Sequence, residues 1–160
     1  MKLADFGTFV ISAAVYAAGT LGLPKITLLA YQVKIGEIPS AFVALLGPPA
    51  IFGLTLGQFI ADLGVEASPL VMLSPAISFA GLLIVYASRK FSALAGSIAY
   101  VILTSLWLSF MLPAAYRVPP SEAIFSAFIG QFIAVMIGYL LYVIAKRTML
   151  PSQQGVTNRT

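Results

Sequence analysis

Residues 31–62 read YQVKIGEIPSAFVALLGPPAIFGLTLGQFIAD, and they hold both the polar and the irregular part of an otherwise greasy N-terminal half. The segment opens on Tyr31-Gln32-Val33-Lys34-Ile35-Gly36-Glu37 and passes Pro39 into an uncharged run. Gly47-Pro48-Pro49 breaks that run, and a second apolar piece follows from Ala50 to Leu63. Proline lacks a backbone N–H and glycine permits a sharp turn, so the triplet predicts a reversal between two short helices. Irregular backbone at membrane depth survives only where protein or a watery cavity satisfies it, which makes this region the first place to expect a ligand pocket.

Membrane depth is the right frame because the 160 residues are 60% hydrophobic and only 9% charged, with a mean hydropathy of +1.00. A soluble domain keeps roughly a quarter of its residues charged. Phe6–Leu23, Pro69–Ser88, Phe91–Pro113 and Ala123–Ala145 carry no formal charge and are each long enough to cross a bilayer at ~20 residues per span. The expected architecture is all-α: a polytopic six-helix bundle with helices near 6–23, 26–46 (interrupted), 50–63, 69–88, 91–113 and 122–145. Residues 1–150 form one integral membrane domain, and 151–160 read as a polar cytoplasmic tail. With both termini cytoplasmic, Lys2, Arg89, Lys90, Lys146, Arg147 and Arg159 lie inside against Lys25, Lys34 and Arg117 outside, the sense the positive-inside rule requires. No small-residue cleavage site follows the N-terminal apolar run, which reads as a retained helix.

Several functions fall away on composition. A pI near 9.5 made from bases at the ends of apolar segments is an orientation signal and does not point to nucleic acid. The chain has no Cys and no His, so thiol nucleophiles, disulfides, Cys/His zinc sites, His-ligated haem and His general bases are absent. Asp62 has no second intramembrane Asp to pair with, and no enzyme, cofactor or metal is expected.

Each remaining polar residue has two readings. Lys34 and Glu37, three apart, share a helical face and pair at a site, or they sit in a water-exposed loop. Gly53 and Gly57 permit close helix approach, while Gln58 and Asp62, four apart, face one direction, toward a cavity or the outer water. Gln131 lies ~14 Å into an uninterrupted apolar helix and needs a partner there, from a neighbouring helix or a ligand. Trp107 and Tyr100 could stack a flat ring, or pack as interface anchors. Ala13 with Ala17 and Ala14 with Ala18 form a smooth strip on the first helix, suited to packing inside the bundle or against another subunit. Ser121 reads as the N-cap of the last helix, with Glu122 in its first turn.

In this order the features resemble the substrate-binding S components of energy-coupling factor (ECF) transporters, most closely the queuosine-precursor (QueT-type) branch. The matching pieces are Lys34-Ile35-Gly36-Glu37 after helix 1, the Gly47-Pro48-Pro49 reversal, Gly53 to Asp62, and Gly130-Gln131. The resemblance implies a six-helix bundle that captures a small, flat, hydrogen-bonding molecule, with the loop between helices 1 and 2 as part of a lid. It implies docking through Ala13, Ala14, Ala17 and Ala18 onto a transmembrane coupling subunit driven by two ATPase subunits. A 7-deazaguanine offers adjacent ring N–H and amine donors, which Glu37 could accept together. Ligand contacts are accordingly expected at Glu37, Lys34, Gln58, Asp62, Gln131 and Trp107. The branch usually carries Arg at the place of Lys34, an acid at Gln131 and Asn at Asp62, so other purine-like or vitamin-like ligands stay open. The alternative is a non-transporting structural or assembly subunit of a membrane complex, which draws on the same small-residue strips.

Overall fold

The computed structural model describes residues 2–22, 34–65 and 69–149. The segment between the first two helices, expected to form part of a lid and holding Lys25, Tyr31 and Gln32, lies outside the described residues, as do Glu66 and the tail 151–160. Six helices account for nearly everything described: α1 (Leu3–Leu21), α2 (Ile35–Leu46), α3 (Pro48–Val65), α4 (Val71–Ser88), α5 (Ala93–Tyr116) and α6 (Pro120–Met149). Among the described residues α1, α4, α5 and α6 are long and apolar enough to cross a membrane.

The 12-residue α2 is the odd member. Its first eight residues, Ile35–Phe42, are a 3-10 helix with Pro39 inside it, and only Val43–Leu46 close α-helical turns. Such a run is longer than the three or four residues usual for 3-10 structure. At ~2.0 Å per residue it stretches a segment too short to span as an α-helix over ~22 Å in all. Gly47 then takes a positive φ of 78° and Pro48 starts α3, so the chain reverses at the Gly-Pro-Pro triplet.

Glycine contacts set the helix directions. A Cβ at Gly53 would run into the Phe9 carbonyl, one at Gly57 into the Ala13 carbonyl, and one at Gly64 would meet Leu21, so α1 and α3 run parallel and nearly touch. Gly47 faces Tyr86, Gly81 faces Tyr100 and Gly96 faces Ser88, which makes α4 antiparallel to both α3 and α5. Gly138 of α6 lies against the Ile38 carbonyl of α2. The start of α1, the end of α6 and the α2–α3 and α4–α5 turns therefore share one end of the bundle, together with Lys2, Arg89, Lys90, Lys146 and Arg147. The positive-inside rule assigns that end to the cytoplasm.

Two apolar clusters fill the bundle. One runs through its middle and includes Tyr16, Val43, Leu54, Leu82, Tyr100 and Val135. The other, built on Val71, Leu108, Met111 and Ala123, packs the opposite end of the α5–α6 hairpin. Arg117 in the left-handed region closes α5, and Pro120 rather than Ser121 opens α6. The Ala123 N–H bonds the Pro119 carbonyl at 3.0 Å, which moves the cap to Pro119 and puts Ser121 inside the first turn. Proline suits the first helical position because its φ is preset and its missing N–H would be unpaired there anyway.

Candidate functional site

On α1 the residues Ser12, Tyr16 and Thr20 repeat every four positions and are buried, while Ile11, Val15 and Leu21 face outward. A polar stripe turned inward on an apolar helix needs partners inside the bundle. Tyr16 finds one in Glu37, donating its phenol to Oε1 at 2.8 Å. Across the bundle, Tyr100 of α5 donates to the other carboxylate oxygen, Oε2. The Ser78 hydroxyl of α4 lies beside the Tyr100 phenol.

Glu37 is only 1% exposed, in the first turn of the 3-10 helix, with Gly36 wedged against Tyr16 and Thr20. Both its oxygens are taken by phenols, so the expected pairing of Lys34 with Glu37 gives way to a tyrosine clamp. In a 3-10 helix residues three apart eclipse, yet Lys34 precedes the helix with extended ψ of 94° and is only half-buried. Lys34 instead acts electrostatically on Asp62, as does Glu37.

Around the clamp, Tyr16, Gly36, Glu37, Ser40, Leu54, Gln58, Leu82 and Tyr100 line one closed crevice with no gap wide enough for a water molecule. Two of these side chains carry a buried oxygen without a hydrogen-bond partner, Ser40 Oγ and Gln58 Oε1. One turn further along α3, Asp62 is bonded by Gln58 through one oxygen while its Oδ2 is unpartnered. Thr20 Oγ1, opposite on α1, is unpartnered too. Buried polar groups are nearly always paired, and each exception needs a reason. Of the six such oxygens among the described residues, Ser40 Oγ and Gln58 Oε1 line the crevice with Glu37, whereas Ser97 Oγ and Gln131 Oε1 lie outside its lining.

Gln58 and Asp62 thus share a buried face, and Gln58 joins Glu37 in the crevice. Gln131 is 1% exposed with Oε1 unpartnered, on α6, but it is not among the residues lining the crevice. Trp107 lies elsewhere, donating its indole N–H to Ser74 Oγ at 2.8 Å and packing in the second cluster beside Phe110. Ala14 and Ala18 are exposed on the outer face of α1, whereas Ala13 and Ala17 are half-buried and Ala13 touches Gly57. Tyr16 and the clamp role of Tyr100 escape a reading of the sequence. The signal for Tyr16 is the four-residue spacing Ser12, Tyr16, Thr20 on an otherwise apolar helix.

The sequence model of the QueT transporter family matches residues 8–147, which reaches into every helix of the bundle and includes all the residues of the clamp. Among characterised proteins and among solved structures none matches. Four long apolar helices and a family match over nearly the whole chain fit together: this is a multi-pass membrane protein of transport, not of catalysis, and the chain belongs to the QueT transporter family.

Proposed function

We propose that the chain is the substrate-binding subunit of an ECF-type transporter, and that it takes up a small planar solute of the 7-deazaguanine, queuosine-precursor class at Glu37. The observation that carries this reading is the buried carboxylate with unpartnered Ser40 Oγ and Gln58 Oε1 in the same crevice. An ionised carboxylate is an acceptor with about four lone-pair positions. A ring N–H and an adjacent exocyclic amine match its two oxygens in the same forked geometry that makes guanidinium–carboxylate pairs strong. Ser40, Gln58 and Asp62 then supply what the remaining edges of such a ring need: a hydroxyl that donates or accepts, an amide oxygen and a second carboxylate.

In the empty protein the two phenols stand where those N–H donors would go. Binding exchanges one set of donors for another, so the buried carboxylate is never left without hydrogen bonds. The crevice must widen for this. Its most adaptable wall is the 3-10 part of α2, where short i to i−3 hydrogen bonds such as Glu37 N–H to Lys34 O, 2.8 Å, hold the backbone less firmly than an α-helix would. Bound solute would then be passed on through a coupling subunit and two ATPases, with the exposed Ala14–Ala18 face of α1 as the docking strip.

Purified protein incubated with 7-deazaguanines, purines and water-soluble vitamins, followed by native mass spectrometry and thermal unfolding, tests the reading. A 7-deazaguanine retained one to one with a raised unfolding midpoint is the expected result. Retention of none of the panel would overturn it. The assembly-subunit alternative rests on the small-residue strips and the scarcity of charge, and leaves the polar crevice unexplained.

A further inference from the structure

A second cavity, lined by none of the residues of the tyrosine clamp, lies at the cytoplasmic end. It has a volume of about 330 Å³ and lies between the α4–α5 turn, with Arg89, Phe91 and Ser92, and the last turns of α6, with Tyr139, Lys146 and Arg147. Three cationic side chains from two separate elements converge on it, and among the described residues no Asp or Glu lines it. Arg89 is held in place by the Tyr86 ring, its guanidinium carbon 3.5 Å from the ring centroid. The N-terminal turn of α5 also opens here, capped by Ser92 through a 3.2 Å bond from the Ala95 N–H, and adds the positive end of a helix dipole.

Cations gathered without a counter-charge repel one another unless an anion joins them. At this depth the anion at hand is a phosphodiester. Phe91, 92% exposed, lines the cavity, and the exposed Leu140, Leu141 and Ile144 on the neighbouring faces of the same turns of α6 offer surface suited to acyl chains. Basic pockets between membrane helices on the cytoplasmic side suit anionic lipid headgroups. We infer that Arg89, Lys146 and Arg147 form a binding site for a phosphate-bearing anion, with the headgroup of an anionic phospholipid as the ligand this setting favours. The site ties the α4–α5 turn to the end of α6 and is independent of the solute reading above.

The test uses the intact protein in detergent with phosphatidylglycerol and phosphatidylcholine of identical acyl chains, competed at equal amounts and read by native mass spectrometry. Phosphatidylglycerol should be retained preferentially, and each base removed by Arg89→Gln, Lys146→Gln or Arg147→Gln should lower that preference about fivefold. Lys90→Gln, at the same end but not lining the cavity, should leave it unchanged. Should Arg89→Gln disturb the turn, the double variant Lys146→Gln/Arg147→Gln, altered only at exposed side chains, gives the same reading. Inorganic phosphate forms the second arm: if it alone raises the unfolding midpoint of the wild type and not of the double variant, the anion is free phosphate and not a lipid. Equal retention of the two lipids with no effect of phosphate overturns the proposal, and so does a preference unaffected by the double variant.

Discussion

Ser40→Ala is predicted to stabilise the empty protein and to weaken the loaded one. Ser40 is 1% exposed and its hydroxyl has no hydrogen-bond partner. A hydroxyl buried without a partner costs ~1–3 kcal/mol by mutational measures, and Ala removes that cost while leaving a void smaller than a methyl group. The net gain is about 1 kcal/mol, or ~2–4 °C in midpoint on the scale of chains this long. If the hydroxyl meets a bound solute, its loss removes one neutral hydrogen bond of ~0.5–1.5 kcal/mol, which weakens binding ~2- to 12-fold. Thermal unfolding of wild type and variant, each with and without a retained 7-deazaguanine, reads both signs in one experiment. A midpoint that falls in the empty variant with affinity unchanged would refute the reasoning, because the hydroxyl would then be structural.

Other substitutions separate the parts of the account. Tyr100→Phe takes away a donor from a buried carboxylate and should lower the midpoint of the empty protein by the equivalent of ~1.5–3 kcal/mol, yet solute affinity measured by calorimetry should hold or rise, since the solute no longer has that phenol to displace. Gly57→Ala sets a methyl against the Ala13 carbonyl and 2.9 Å from Tyr16 Cβ, so it should cost ~1–3 kcal/mol of stability and weaken binding by shifting Tyr16, read by the same two assays. Ala18→Leu, on the exposed face of α1, should leave unfolding within ~0.5 kcal/mol of wild type while abolishing co-purification of a coupling subunit.

Much of this arrangement is written locally. Charge-free runs of about twenty residues announce the spans, and Gly47-Pro48-Pro49 announces the reversal, because bilayer thickness and proline chemistry act on neighbouring residues. Glu37 stands out as an acid that, with Lys34, interrupts an otherwise apolar half of the chain. What its carboxylate bonds to does not, since Tyr16 and Tyr100 lie 21 and 63 residues away and a tyrosine in a membrane helix looks like any packing or interface residue. The same holds for Lys34, whose electrostatic neighbour proves to be Asp62 on a different helix. Trp107 reads as a ring-stacking candidate from its type alone, and only the pairing of its N–H with Ser74, 33 residues earlier, shows it engaged elsewhere. The Ala13–Ala18 strip divides in the same way: position within it separates the half-buried Ala13 and Ala17 from the exposed Ala14 and Ala18, and only the packed helix shows which is which.

The central claim is that Glu37 receives the solute, and calorimetric titration of Glu37→Gln with a 7-deazaguanine tests it most directly. The amide keeps one acceptor and puts a donor where the second N–H of the solute must arrive. Loss of one charge-assisted hydrogen bond is worth ~1.5–3 kcal/mol, so affinity should fall about 10- to 150-fold in a variant that still unfolds cooperatively. An affinity within twofold of wild type would contradict the account.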